Sequence, residues 1–240
     1  MSFLPKAILF DLDDTIIIFP SRRFSGIEAA EEFRDSIAPL TPEDLGDAME
    51  EYSIRFWADA ENHTRWRFNL RDARAQIASQ VFAGLSAGAP TLTPTLAQAY
   101  ASRFHEAREA AVACDPGAIE TLDELRRLGV KMALVTNGDG TGQRKKIVRF
   151  DLGGRFDHIQ IEGEVGFGKP DPRAYLHAME TLGVGPAETW MVGDNLEWEV
   201  AAPQRLGIHS IWRDWAGEGL PAGSSVKPDR IVSSICQLLP

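Results

Sequence analysis

The chain has 240 residues, of which 44% are hydrophobic and 25% charged, and its formal net charge is −10. That length holds one large domain or two modest ones with ample core, and the composition is ordinary for a soluble globular protein. The negative balance argues against non-specific binding to nucleic acid or to an anionic membrane, although a bound metal can still admit an anionic substrate by inverting the field locally.

Near the N-terminus, Ala7 to Phe10 form a short apolar run that leads directly into Asp11, Asp13 and Asp14. Such a run predicts a strand buried on both faces of a parallel sheet, with the carboxylates emerging at its carboxyl edge, where open sheets place their ligand crevices. Taken alone, Asp11 to Thr15 reads equally well as a solvated turn closing the strand. Crowded like charges are costly unless a cation or a shared proton relieves them. Ile16 to Phe19 and then Pro20-Ser21-Arg22-Arg23 look like a linker leaving this strand. From Phe24 to about Cys114 the chain turns alanine-rich, charged and helical. Thr41-Pro42-Glu43-Asp44 and Thr93-Pro94 both carry helix-start signals. Ile54, Trp57, Ile77, Val81 and Phe82 supply apolar positions for helices packing on each other, so the block reads as an inserted helical bundle.

At Asp115-Pro116 the pattern changes, with Asp115 as a candidate cap for a helix that Gly129 ends. Val130 to Val135 predicts a second buried strand ending in Thr136-Asn137-Gly138, followed by a helix from about Thr141 to Phe150. His158 to Ile161 is a shorter strand, leading to the loop Gly166-Phe167-Gly168-Lys169-Pro170. Asp171-Pro172 starts the next helix, which ends at Gly183. Thr189 to Val192 is a strand ending in Gly193-Asp194-Asn195, and Ile208 to Trp212 is the last clear strand, before a flexible-looking loop from Gly217 to Ser225. Alternating strands and helices predict an α/β fold with a parallel sheet. Cys114 and Cys236 lack metal-ligand spacing and make no disulfide framework, which fits a reducing cytoplasm. Asp11 interrupts the first apolar run too early for a signal peptide, and no stretch approaches transmembrane length.

Asp11 and Asp13, Thr136 and Asn137, and Asp194 thus lie at three strand ends, with Lys169 in a loop between. Each has an ordinary reading as turn, loop cation or strand end; together they assemble groups suited to phosphate chemistry. These residues resemble the four motifs of the haloacid dehalogenase superfamily. Asp11-Leu12-Asp13-Asp14-Thr15 is similar to the first, Thr136-Asn137 to the second, Lys169 with Pro170-Asp171-Pro172 to the third and Gly193-Asp194-Asn195 to the fourth. The resemblance implies a Rossmann-like catalytic core, 1–19 and 112–240, with a helical cap at 20–111.

It also implies roles. Asp11 would be the nucleophile forming an aspartyl-phosphate, and Asp13 the acid that protonates the leaving alcohol and later activates water. Mg²⁺ would be held by Asp11, the main-chain carbonyl of Asp13, and Asp194. Thr136 and the backbone beside Asn137 would bind phosphoryl oxygens, with Lys169 neutralising charge. Glu199 stands where many relatives carry a further Asp, which leaves a supporting role or a salt-bridged surface residue open. The expected function is a phosphatase acting on a small phosphorylated metabolite in the cytoplasm, with no nucleic-acid or membrane partner and the oligomeric state undetermined. A 2-haloacid dehalogenase, a phosphoglucomutase-like phosphotransferase and a receiver-like phospho-acceptor are the alternatives. Halide departure needs no proton, so Asp13 favours phosphate esters. Arg22, Arg23 and Arg65-Trp66-Arg67-Phe68 are candidate substrate contacts set against solvated helix faces, and His63 and His105 read as structural or surface residues.

Overall fold

In the computed structural model, which describes residues 4–240, every side chain of β1 (Ala7–Phe10) is fully buried, as a strand covered on both faces requires. After the acidic turn comes β2 (Ile17–Ile18). The chain then forms α1 (Arg22–Glu31), α2 (Arg34–Ile37), α3 (Pro42–Ala58), α4 (Ala60–Trp66), α5 (Leu70–Leu85) and α6 (Pro94–Ala111). It returns through β3 (Ala113–Cys114), which pairs antiparallel with β2. The residues divide into two units at these strands, one running up to Ile18 and resuming over Ala113–Pro240, the other spanning Phe19–Val112.

The helical unit starts its helices where its capping residues dictate. Thr41 and Asp44 form a reciprocal box at the head of α3: Asp44 N–H donates to Thr41 Oγ1 at 3.1 Å, and Thr41 N–H to Asp44 Oδ2 at 2.8 Å. Thr93 caps α6 by accepting from the Leu96 N–H at 3.2 Å. Ile77, Val81 and Phe82 join Met49, Tyr100 and Phe104 in one apolar core, with Trp57 at its margin. Ile54 does not contribute as expected and is 58% exposed. The buried stripe of α3 runs Leu45, Met49, Ser53, Phe56, and one residue past Ser53 the helix has rotated away from the core.

In the other unit the chain continues through α7 (Ala118–Arg127), β4 (Lys131–Thr136), α8 (Gly140–Arg149), β5 (His158–Ile161), α9 (Glu162–Val165) and α10 (Pro172–Leu182). After β6 (Thr189–Gly193), a π-helical turn over Leu196–Ala201 runs into α11 (Ala202–Gln204), and β7 (His209–Arg213) and β8 (Arg230–Val232) follow. Asp115 does not cap α7. Its carboxylate pairs with Arg213 at 2.9 Å and accepts from Ser234 Oγ at 2.8 Å, and the helix begins after a left-handed Gly117 instead. β8 lies beyond the last strand expected from the sequence, because it is three residues long with only Val232 buried.

Six strands form one parallel sheet in the order β5-β4-β1-β6-β7-β8, the α/β, Rossmann-like arrangement expected from the alternation of elements. Counting only these strands, the chain takes the 3-2-1-4-5-6 order of doubly wound sheets, whose ligand crevice opens at the carboxyl edge where the winding reverses. Here that reversal lies beside β1, between the strands leading to Asp11 and to Asp194. Phe10 sits opposite Leu134 and Val192, so Asp11 is the first residue past the paired run. Tyr175, Ala178, Met179 and Leu182 of α10 cover one face, packing with Ala7, Leu9, Ala133 and Val135. Among the described residues no helix is long and apolar enough to cross a membrane.

Candidate active site

Asp11 is fixed by its backbone before its side chain acts: its N–H donates to the Val192 carbonyl at 2.9 Å, extending the β1–β6 ladder by one bond. Its carboxylate accepts from Lys169 Nζ at 2.6 Å and lies 3.5 Å from Thr15 Oγ1, which donates to it. Burial, with the charge of Asp13, pushes the Asp11 carboxyl above the usual range, against the pull of Lys169. Beyond it the chain turns sharply, with Asp14 in the left-handed region at φ 54°. Arg213, buried at the end of β7, holds that turn by donating to the Asp14 carbonyl at 2.6 Å.

Lys169 is 1% exposed and bridges two carboxylates, Asp11 at 2.6 Å and Glu199 at 2.7 Å. Burial works against its charge, but Asp11 and Glu199 outweigh that and hold the ammonium above its ordinary range. Asn137 sets the height of this lysine. Its side-chain amide donates to the Lys169 carbonyl at 2.7 Å and accepts from the Lys169 N–H at 2.8 Å. The Asn137 side chain is therefore committed to the lysine loop. A glycine is required at 168, where a Cβ would come within 2.6 Å of Asn137 Oδ1 and 2.4 Å of Glu162 Cδ.

Glu199 is no surface salt bridge: it is 1% exposed. Besides Lys169 it accepts from the Asn195 N–H at 2.7 Å, and burial with the Asp11 charge raises its carboxyl to about 7 despite Lys169. Gly193 makes room for it, since a Cβ there would stand 2.0 Å from Glu199 Cγ. Asp194 follows on the end of β6, its carbonyl accepting from Trp212 Nε1 at 2.6 Å. Burial and the charges of Glu199, Asp11 and Asp14 hold the Asp194 carboxyl well above the usual range, with Lys169 opposing.

Asp13 lies apart from this buried group, with a side chain 34% exposed. Lys146 of α8 donates to both its oxygens, at 2.8 and 3.0 Å, and Gln143 Nε2 donates to Oδ2 at 2.9 Å. The same nitrogen donates to Thr136 Oγ1 at 2.6 Å and to the Asn137 carbonyl at 3.0 Å. Gln143 and Lys146 were not found from the sequence. Their signal is a three-residue spacing on the helix that follows Thr136-Asn137-Gly138, which puts both on one face.

The structure thus gathers Asp11, Lys169, Glu199 and Asp194 at one end of the sheet and links Asp13, Thr136 and Asn137 through Gln143. The candidates in the helical unit have other partners. Arg23 pairs with Asp47, Arg65 and Arg67 each lie 5.0 Å over the rings of Trp66 and Phe68, and His63 meets the Trp57 ring edge-on. His105 contacts Arg74.

Two buried carboxylates, Asp11 and Glu199, with the half-buried Asp194, against one buried ammonium make a site short of positive charge. Among the described residues no three His, Cys, Asp or Glu side chains converge on a ready metal cluster. Mg²⁺ does not need one, because it commonly binds through one or two carboxylates, waters and substrate phosphate. Asp11 and Asp194, with the mutual repulsion that raises Asp194, are a hard-oxygen donor pair that fits such an ion.

The family model described as haloacid dehalogenase-like hydrolase matches residues 5–207. The chain is 33% identical over 251 residues to the phosphoserine phosphatase of Thermus thermophilus, covering 96% of each. It is 28% identical to the glyceraldehyde 3-phosphate phosphatase of Methanopyrus kandleri, covering 86% of this chain and 82% of that protein. The magnesium-bound HAD-hydrolase YfnB of Bacillus subtilis shares its fold, with a TM-score of 0.72 and 20% identity over 98% of this chain and 97% of that one.

Proposed function

Because the chain belongs to the haloacid dehalogenase-like hydrolases, we propose that it is a Mg²⁺-dependent phosphatase that hydrolyses a small phosphorylated metabolite through an aspartyl-phosphate on Asp11. The observation that carries this reading is the contrast between two aspartates two positions apart: Asp11 is buried against Lys169 at 2.6 Å, and Asp13 is partly exposed and held by a separate set of donors. Lys169 places a positive charge beside Asp11 for the transferring group, and the exposed part of Asp13 leaves it open to a leaving group or to water.

Asp11 attacks phosphorus while Asp13 gives its proton to the departing alkoxide. In the second half Asp13 takes a proton from water, the hydroxide attacks the phosphorus, and phosphate leaves with regeneration of the Asp11 carboxylate. Lys169 stabilises charge on Asp11 and on the transferring group, and the Thr136 hydroxyl with the backbone at Asn137 binds phosphoryl oxygens. Asp11, Asp194 and the main-chain carbonyl of Asp13 would hold Mg²⁺, which when bound neutralises negative charge among the carboxylates and the phosphoryl oxygens. Glu199 keeps Lys169 charged and in place. The two cysteines, both free, suit a reducing cytoplasm.

The test is turnover of a generic phosphomonoester, followed by a panel that begins with phosphoserine and glyceraldehyde 3-phosphate. Hydrolysis is expected to vanish with EDTA and to return with Mg²⁺. Full activity in metal-free buffer, or release of halide from a 2-haloacid without phosphatase activity, overturns the reading.

A further inference from the structure

Gln143 Nε2 carries two hydrogens and has three acceptors around it: Asp13 Oδ2 at 2.9 Å, Thr136 Oγ1 at 2.6 Å and the Asn137 carbonyl at 3.0 Å. A carboxylate and a carbonyl only accept, so the nitrogen and not the oxygen of this amide faces the cluster. Two consequences follow. The Thr136 oxygen is engaged as an acceptor, and among the described residues its own hydrogen has only the long 3.4 Å contact to the Asn137 carbonyl to compete for it, so it stays available for a phosphoryl oxygen. One turn along α8, Lys146 closes on both oxygens of Asp13 at 2.8 and 3.0 Å with a side chain only 12% exposed. The carboxylate at position 13 is then gripped at three points and cannot rotate freely.

We propose that Gln143 and Lys146 are positioning residues that hold the Asp13 carboxylate and the Thr136 hydroxyl in a shared frame, tying the acid/base group to the phosphoryl-binding group. This rests on the phosphatase reading of the site and adds to it two residues from α8, whose sequence carries none of the four motifs. The division of labour between them is specific. Lys146 donates to both oxygens of Asp13, so its loss falls on proton transfer. Gln143 reaches both Asp13 and Thr136, so its loss falls on phosphoryl binding as well. A neutral replacement at position 146 leaves Asp13 solvated rather than buried and unpaired.

The test compares kcat/KM, which reports the steps through leaving-group departure, for an alkyl phosphate and for 4-nitrophenyl phosphate, whose phenolate leaves with little help. Lys146→Met is expected to lower kcat/KM for the alkyl ester about 10–100-fold, a part of the full general-acid contribution of about 10²–10⁴, and to change the aryl ester far less. Lys146→Arg should recover part of the loss. Gln143→Leu should lower both esters, the alkyl one more. In an Asp13→Asn background Lys146→Met should have no further effect, because a positioning residue acts only through the group it positions. Lys146→Gln is the second variant should Lys146→Met fold poorly, and circular dichroism checks both. Equal losses for the two esters, or full additivity with Asp13→Asn, overturns the positioning role. A wild-type protein that turns over neither ester overturns the phosphatase reading on which it rests.

Discussion

Asp11 and Asp13 are chemically identical side chains on one turn, and the different roles proposed for them rest on what surrounds each. Asp11 touches Lys169 and is shielded; Asp13 touches Lys146 and Gln143 and keeps a third of its side-chain surface. Their substitutions are therefore expected to behave differently. Asp11→Asn removes the proposed nucleophile, so it should abolish turnover of alkyl and aryl esters alike and give no phosphoenzyme by intact-protein mass spectrometry. Asp13→Asn keeps the shape and removes proton transfer. It should slow an alkyl phosphate about 10²–10⁴-fold and spare an activated aryl ester more. Because Asp13 is also the proposed base that activates water, phosphoenzyme should accumulate with the aryl ester. Wild-type activity in Asp13→Asn, or a phosphoenzyme in Asp11→Asn, removes the mechanism.

At the level of elements, the acidic turn after β1 depends on β7, two strands away in the sheet. Arg213 donates to the Asp14 carbonyl at 2.6 Å and pairs with Asp115 at 2.9 Å, and both ionised side chains are buried. Removing one partner of a buried pair strands the other charge, at a cost of about 3–5 kcal/mol. Arg213→Met should therefore destabilise the protein by about that much in urea titration, and Arg213→Met with Asp115→Leu by clearly less than the sum of the two single changes. A sum that is strictly additive means that the two side chains do not act as a pair. Activity in Arg213→Met should fall as well, since Asp14 loses the bond that holds its turn. A second constraint lies at the end of β6, where Gly193 and Glu199 occupy space that admits no Cβ.

For the molecule as a whole, all the motif residues belong to the sheet unit, and Phe19–Val112 carries none of them. The expected consequence is a separation of tasks, with chemistry in the sheet unit and choice of substrate in the helical one. If Arg65 or Arg67 faces the bound substrate, its substitution by Ala should alter the ranking of phosphorylated metabolites while a small generic ester is still hydrolysed at near the original rate. If substitutions across the helical unit abolish that generic turnover in a folded protein, the separation is wrong. The net charge of −10 adds that access of an anionic substrate should quicken as salt screens the protein, unless bound cation has already reversed the local field.

The features that could be read from the chain alone are those that burial writes locally. Four apolar residues with no polar interruption fit a strand covered on both faces, and Asp11 then stands at its end. Helix starts at Thr41, Thr93 and Asp171 are equally local, because a cap and the N–H it satisfies lie within three residues. Ile54 and Asp115 were misplaced because a nearby pattern favoured one role and a distant neighbour or the rotation of a helix imposed another. β8 was missed because three residues with one buried side chain leave no periodicity to detect. Tertiary structure decided the rest of the site. Lys169 meets Asp11 across 158 positions, Gln143 and Lys146 meet Asp13 across 130 and 133, and Arg213 meets Asp14 across 199. Hydrophobic periodicity records which face of an element is buried but carries no information about which distant side chain it will be buried against. Only the winding of the sheet about β1 brings these partners within hydrogen-bonding distance.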